Sequence, residues 1–292
     1  MDRENVTCGV PVALRPGERL LAPTPIGIAI PSLSPGSVTT TEGAELSVVA
    51  PLWNEELNVG PLLERVVQAL RSEPRPFEVI FVDDASTDAT WSRILEAQKV
   101  EPRLRAIRLL HHSGQSAALW TGFSASRGRI IATLDGDLQN DPTDLPRMLK
   151  ELQNYDLVCG LRARRKDNTV RRLSSAVARW ARKTALGVDF RDTGCNLRVF
   201  DRVVLSKLFP FDGLHRFMPV LAHAAGFRVI ELPVAHHPRM AGKSKYGVWN
   251  RLGRGIWDLA AIAWYRKRHL SRVPAAEHVR AEPQGIRNPA KV

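Results

Sequence analysis

Five short apolar runs, separated by helical patterns, constrain this chain more than any other feature in it. They are LSVVAP (Leu46–Pro51), FEVIFVDD (Phe77–Asp84), LRAIRLL (Leu104–Leu110), RIIATLD (Arg129–Asp135) and YDLVCGLR (Tyr155–Arg162). One helical pattern runs from about Glu56 to Arg71, with Leu57, Leu62, Leu63, Val66 and Val67 on one face. A second reaches about Val100 and is capped by Ser86 or Asp88. A small-residue helix follows from about Gly114 to Ser126, and Pro142 sits where another helix would take its first turn. Strands that read as continuous apolar runs and alternate with helices build a parallel sheet covered on both faces. The expected fold is α/β, Rossmann-like, with a mostly parallel sheet.

Such sheets bind ligands beyond the carboxyl ends of their strands. The polar clusters of this chain sit there: Asn54-Glu55-Glu56, Asp83-Asp84, Asp135-Gly136-Asp137 and Arg162 to Arg165. Asp135, Asp137 and Gln139 alternate, and in extended backbone alternate residues project to one side. Two carboxylates and an amide oxygen suit Mg²⁺ or Mn²⁺, with coordination sites left over for substrate phosphates. The competing reading is a solvated acidic turn. Asp83-Asp84 reads either as a capped strand-to-helix turn or as an acceptor for a ribose hydroxyl or base N–H. Trp53 is a packing residue or a stacking surface. Arg162, Arg164, Arg165, Arg171 and Arg172 precede Ser174-Ser175 and continue into a basic amphipathic pattern to about Leu186. A solvated face is the ordinary meaning of such a run; starting at the rim, it also suits a phosphate clamp. His236-His237-Pro238-Arg239 and Gly242-Lys243-Ser244-Lys245-Tyr246 add phosphate-binding chemistry, while adjacent histidines lack zinc spacing.

Composition narrows the partners. The 292 residues carry a formal net charge of +12, so an anionic partner is expected. Three cysteines, Cys8, Cys159 and Cys195, have no metal-ligand spacing and fit a reduced, cytosolic setting. No apolar run reaches the roughly 18–20 residues of a membrane span, and no signal peptide is evident. Residues 1–43 read as a disordered Pro-rich tail, 44–246 as the folded domain and 271–292 as a second disordered tail. Between them, 247–270 forms an amphipathic pattern with Trp249, Trp257 and Trp264 on one side and Arg251 and Arg254 on the other. It reads as a helix in the membrane interface or as one docked on the core. A nucleic-acid-binding protein would need basic residues interleaved with exposed aromatics along a groove, and the acidic rim argues against it. A processive polysaccharide synthase would carry several spans and a Gln-x-x-Arg-Trp segment; here Ala176 precedes Arg179-Trp180. A transferase onto a protein or small alcohol would have little use for the arginine cluster.

The motifs APLWNEE, VDDASTD, HHSGQSAALWTGF, DGDLQNDP, GLRARRKD, VRRLSS, DTGCNLRVFDR, LHRFMP and HPRMAGKSKYG occur in order from about Leu46 to Gly247. In them the chain resembles family 2 glycosyltransferases of the GT-A fold, within the dolichyl- and polyprenyl-phosphate sugar synthases (dolichol-phosphate mannosyltransferase-like). Trp53, where the family usually has Tyr, and His111, where Asn is common, depart from the pattern. The resemblance implies that Pro51, Trp53, Glu55, Val82 and Asp84 hold the nucleoside. It places Asp135, Asp137 and Gln139 at a Mg²⁺ or Mn²⁺ ion on the donor diphosphate, with Gly136 beside them at the donor. Arg239, Ser244 and Lys245 would contact phosphates. Arg162, Arg165, Arg172 and Ser175, with Arg216 a weaker candidate, would receive the acceptor phosphate. Asp192 would steer the sugar, act as a base, or be a buried structural carboxylate. GDP-mannose is the first donor expected, with UDP-glucose and UDP-linked uronic or amino sugars as alternatives. The acceptor would be polyprenyl or dolichyl phosphate. The enzyme would be peripheral on the cytoplasmic face of an anionic membrane, with a membrane-protein partner or a homo-oligomer as further possibilities.

Overall fold

A computed structural model describes residues 43–162 and 189–238, together with residues 261 and 264. Seven strands form one sheet: β1 (Leu46–Leu52), β2 (Phe77–Asp83), β3 (Leu104–Arg108), β4 (Ile130–Thr133), β5 (Leu157–Arg162), β6 (Arg198–Asp201) and β7 (Val229–Val234). Their order is β3-β2-β1-β4-β6-β5-β7. Pairing is parallel throughout, except that β6 lies antiparallel between β4 and β5. Leu46 sits opposite both Phe77 and Ile130, so β1 is the registration strand for the first half.

Among the described residues five helices cover the sheet: α1 (Val59–Ala69), α2 (Thr90–Val100), α3 (Gln115–Ala125), α4 (Leu145–Glu151) and α5 (Leu214–Ala224). The period of two in the strands divides the core into two clusters. Leu46, Val48, Ala50 and Leu52 of β1 join Val79 and Phe81 of β2 against α1, α2 and α4. Val49, Ile80 and Val82 face the other way, against α3 and α5. Each of these side chains is essentially inaccessible, and burial of one such residue stabilises by about 1.5–3 kcal/mol. Helix α3 is built of small residues for a geometric reason. A Cβ on Gly122 would come within 2.3 Å of Val49 Cγ1, so the helix lies almost on β1.

The helical pattern expected from Glu56 starts later, at Val59, and Leu57 is 70% exposed rather than packed. Residues 54–58 are instead tied to the neighbouring loop, as described below. The second helix begins at Thr90, with Asp88 Oδ1 accepting from the Thr90 N–H at 3.0 Å. Pro142 opens a 3₁₀ turn that leads into α4. Strands β6 and β7 were not anticipated from sequence. Among the described residues no helix is long and apolar enough to cross a membrane. Both tails apart from Gly43, and the amphipathic stretch 247–270 apart from residues 261 and 264, lie outside the described residues.

Candidate active site

The carboxyl ends of β1, β2 and β4 gather three of the polar clusters on one rim, and Arg162 ends β5 beside them. The loops after β1 and β2 brace each other. The Asn54 N–H donates to Ser86 Oγ at 2.9 Å, and the Thr87 N–H donates to Asn54 Oδ1 at 2.8 Å. The Glu55 N–H donates to Thr90 Oγ1 at 2.8 Å, while the Glu55 carboxylate accepts from Asn58 Nδ2 at 2.6 Å. Both loops turn through left-handed backbone at non-glycine residues, Asn54 (φ 52°) and Ala85 (φ 53°).

Asp83 and Asp84 divide their work. Asp83 is fully buried; burial pushes its carboxyl pKa up, opposed by Ser86 and by Arg108, whose Nε lies 3.1 Å away. Asp84 faces the next loop. Its Oδ1 accepts from the Ser113 N–H at 2.7 Å and its Oδ2 from the Gly114 N–H at 2.8 Å. His112 Nδ1 is also 2.8 Å from Oδ2. Asp84 therefore fixes the entry to α3, with each carboxylate oxygen accepting a backbone N–H. The Trp53 indole lies on the His112 ring, with centroids 4.0 Å apart and planes 20° off parallel. Pro51 and Val82 lie buried at the ends of β1 and β2 beside this stack.

The carboxylate loop after β4 is a turn, which corrects the extended arrangement expected from the alternation of Asp135, Asp137 and Gln139. Leu138 adopts φ 61°, and Asp137 Oδ1 accepts from the Gln139 N–H at 3.2 Å. Gly136 is required by close approach: a Cβ there would meet the Pro51 carbonyl at 2.8 Å. Asp135 is held from three directions. Its N–H donates to Asn140 Oδ1 at 3.0 Å. Its Oδ1 accepts from Gln115 Nε2 at 2.7 Å and from Asn196 Nδ2 at 3.1 Å. The residue keeps partial exposure, but its carboxyl is enclosed. Burial, followed by the charge of Asp137, pushes Asp135 up to about 6, against the opposing effects of Asn196, Arg162 and Arg198.

A carboxyl whose proton affinity is raised by burial and by a neighbouring carboxylate is a place where a divalent cation relieves repulsion. The buried Oδ1 of Asn196, beside Asp135, has no hydrogen-bond partner. Among the described residues no three His, Cys, Asp or Glu side chains gather as a metal cage. One or two carboxylates completed by substrate phosphates is the way Mg²⁺ is ordinarily held, and Asp135, Asp137 and Gln139 fit that donor set.

On the far side of the loop, Arg162 ends β5 and is committed to Asp192. Nε and Nη2 each lie 2.6 Å from a different carboxylate oxygen, in a bidentate pair that is almost wholly enclosed. Glu231 of β7 braces the same segment by accepting from the Arg191 and Asp192 N–H groups at 2.8 Å each. One edge of the Arg162 fork is thereby occupied by Asp192. Asp192 is a buried carboxylate paired with Arg162. Arg216 opens α5, half-buried. Arg165, Arg172, Ser175, Arg239, Ser244 and Lys245 lie outside the described residues.

Sequence reasoning missed the residues that support the carboxylates. Gln115 and Asn196 lie within the quoted motifs HHSGQSAALWTGF and DTGCNLRVFDR, yet nothing in either motif says that both reach Asp135. Arg198, only 2% exposed, donates to the Thr193 carbonyl at 3.0 Å, while its Nε has no partner. Ser116 Oγ accepts from the Gly213 N–H at 3.0 Å and lies 2.7 Å from His215 Nδ1, joining α3 to α5. Burial, then the charges of Arg216 and Arg198, push His215 down to about 3, so that ring is neutral.

Residues 47–209 match the model of the family described as glycosyl transferase family 2. A curated relative from Rhizobium johnstonii, dodecaprenyl-phosphate galacturonate synthase, is 40% identical over 241 residues, covering 80% of this chain and 70% of the relative. An undecaprenyl-phosphate 4-deoxy-4-formamido-L-arabinose transferase from Aeromonas hydrophila is 37% identical over 216 residues, covering 73% of this chain and 66% of its own length. The chain thus spans just under two thirds of that relative. Among solved structures, glucosyl-3-phosphoglycerate synthase from Mycobacterium tuberculosis with Mn²⁺ and UDP-glucose is 18% identical with a TM-score of 0.57, covering 77% of this chain and 79% of that one. Mannosyltransferase PcManGT from Pyrobaculum calidifontis with GDP-Man and Mn²⁺ gives 21% and 0.55, covering 83% and 70%. At these identities the likeness is one of fold, and the fold is GT-A.

Proposed function

The chain belongs to glycosyl transferase family 2, and from that premise we propose that it moves a sugar from a nucleotide-sugar donor to a polyprenyl phosphate. The donor we favour is a UDP-linked uronic or amino sugar. The observation that carries this reading is the 40% identity to a galacturonate synthase that acts on a dodecaprenyl phosphate by name. The formamido-arabinose transferases point the same way, towards modified sugars. GDP-mannose, the first donor expected from the resemblance, is the less supported alternative.

The chemistry asks little of a general base. A phosphate monoester has a second pKa near 6 and is largely dianionic at pH 7. One of its oxygens attacks the anomeric carbon as the bond from that carbon to the nucleoside diphosphate breaks, with inversion. The demand on the protein is to bring two anions together and to stabilise the leaving diphosphate. Asp135, Asp137 and Gln139 would hold Mg²⁺ or Mn²⁺, which when bound supplies positive charge to the diphosphate. Gln115 and Asn196 keep the Asp135 carboxylate in one orientation. Trp53 and His112 offer the nucleoside an aromatic surface, on loops locked by Asp84. Arg165, Arg172, Ser175 and Arg216, together with whatever donors Arg162 retains beside Asp192, are the candidates for the acceptor phosphate. Arg239, Ser244 and Lys245 are the candidates for the donor phosphates. With a charge of +12 and the amphipathic stretch 247–270, the enzyme would work as a peripheral protein on the cytoplasmic face of an anionic membrane.

The test is a donor screen. Purified protein, Mn²⁺ and a short-chain polyprenyl phosphate are incubated with UDP-galacturonate, UDP-amino sugars, UDP-glucose and GDP-mannose, and glycolipid is detected by mass spectrometry. An EDTA-sensitive product from a UDP-uronic or UDP-amino sugar is expected. Product from GDP-mannose alone would overturn the donor assignment, and glycosylation of water-soluble acceptors only would overturn the acceptor.

A further inference from the structure

After β7 the chain turns back to the carboxylate loop and is fastened there. Asn140 and His236 form an isolated antiparallel bridge, and the His237 N–H donates to the Gln139 carbonyl at 2.9 Å. The Gln139 side chain answers with a longer contact, Nε2 donating to the His237 carbonyl at 3.4 Å. An amide whose nitrogen is committed to an acceptor leaves its oxygen as the atom still available to a cation. This strap therefore selects which end of Gln139 is offered.

A side chain anchors the strap. His237 Nε2 lies 2.8 Å from Asp141 Oδ2. The other Asp141 oxygen, Oδ1, accepts from the Thr143 N–H at 3.0 Å and from Thr143 Oγ1 at 2.7 Å. Asp141 is thus pinned by the start of the helical turn on one side and by His237 on the other. Asn140, between the anchored residues, takes the Asp135 N–H at 3.0 Å. The fastening touches Gln139 directly and reaches Asp135 through one residue.

We propose that the His237–Asp141 pair is a positioning device for the cation site, holding Gln139 and the Asp135 end of the loop in the arrangement that binds a divalent metal. The inference rests on the metal reading of Asp135, Asp137 and Gln139. His237 and Asp141 are positioning residues here, since neither has to touch the cation. With His237 about half exposed, the pair adds little to global stability. Its effect is local, and loss of groups that orient metal ligands typically weakens affinity by about 10–100-fold.

Manganese binding measures this without any turnover. Mn²⁺ is titrated into the full chain and free ion is read by electron paramagnetic resonance, with thermal melting recorded alongside. Wild type, His237→Ala, His237→Gln, Asp141→Ala and the double alanine variant are compared, with Asp137→Ala as the control for the site itself. His237→Ala and Asp141→Ala are expected to bind at least about 10-fold more weakly with unchanged melting. His237→Gln, which keeps a donor at this position, should recover most of the loss. The double variant should be no worse than either single one, because both remove the same contact. Wild-type affinity in His237→Ala, or losses that add in the double variant, would sink the positioning role alone. Binding in wild type that Asp137→Ala leaves untouched would sink the metal reading and this inference with it. A loss that tracks a lowered melting temperature and is not restored by His237→Gln would make the pair merely structural.

Discussion

The two ends of the sheet meet the same demand, burying polar groups, in opposite ways. At the amino end, Glu78 is fully inaccessible and completely paired. Its Oε1 accepts from Ser47 Oγ and from the Arg127 N–H, each at 2.7 Å, and its Oε2 takes Arg105 Nη1 at 2.7 Å. Ser47 in turn accepts from the Gly128 N–H at 2.9 Å, and Arg202 closes on the Gly128 carbonyl with two contacts of 2.7 and 2.9 Å. At the carboxyl end, all three described non-glycine residues with positive φ cluster: Asn54, Ala85 and Leu138. Buried atoms without a hydrogen-bond partner collect there too, among them Asn196 Oδ1 and Arg198 Nε. One end is organised for stability, whereas the other stores strain and unmet polar capacity where a ligand would meet them.

The sharpest way to break this contrast is Glu78→Ala. It takes the shared carboxylate from the partly exposed Arg105 guanidinium, the Arg127 N–H and the Ser47 hydroxyl, and about 3 kcal/mol of stability should be lost, read by urea unfolding. A loss under about 1 kcal/mol would end the idea that the amino end carries the stability. The next effect is pH-dependent and belongs to the rim. The folded value of Asp135, about 6, lies above its ordinary 3.8. Its contribution is fully present below about pH 4 and is lost as pH rises through 6. In metal-free buffer this amounts to at most ~3 kcal/mol. Asp135→Asn should flatten that slope between pH 4 and 6.5, and an unchanged slope would remove the enclosed carboxyl from the account.

Asp137→Ala should leave urea stability within about 1 kcal/mol and lower kcat/KM at least about 100-fold, equivalent to about 2.7 kcal/mol in the barrier. Near-normal turnover would contradict the cation site. The smallest expected effect sharpens the comparison instead of testing it. Ala85→Gly removes a left-handed penalty of about 1 kcal/mol, so the protein should become slightly more stable while the nucleotide KM rises. No gain in stability would mean that the rim holds no strain at that position.

Much of this was legible because strands buried on both faces are continuous apolar runs, and their ends then mark the rim. Asp135 and Asp137 stood out on that basis alone. Glu78 is equally visible, a carboxylate inside FEVIFV, but the strand pattern does not say which groups pair it. Strand β6 was hidden because it spans only four residues inside a motif with other polar landmarks. Gln115 and Asn196 were hidden for a different reason. The bonds that make them matter close over 20 and 61 residues of chain, and no periodicity records such a contact. The Asx-type turn at Asp137 defeated the extended reading because a left-handed leucine is rare enough that local pattern does not foresee it.

The reversed β6 also sets a timetable for synthesis. Strands β1 to β4 are the first of the sheet to be made and pair only with one another and with β6. One edge of β4 then stays open, with its ladder groups unpaired, until Arg198–Asp201 has been made. At translation rates of about 5–20 residues per second the interval lasts on the order of several seconds. During that interval an apolar strand edge is offered to any neighbouring nascent chain. Strand β5 emerges first but waits, because its place in the sheet lies on the far side of β6. For this protein, slowing translation between codons 134 and 198 should favour aggregation over yield, whereas the same pause after Asp201 should be harmless.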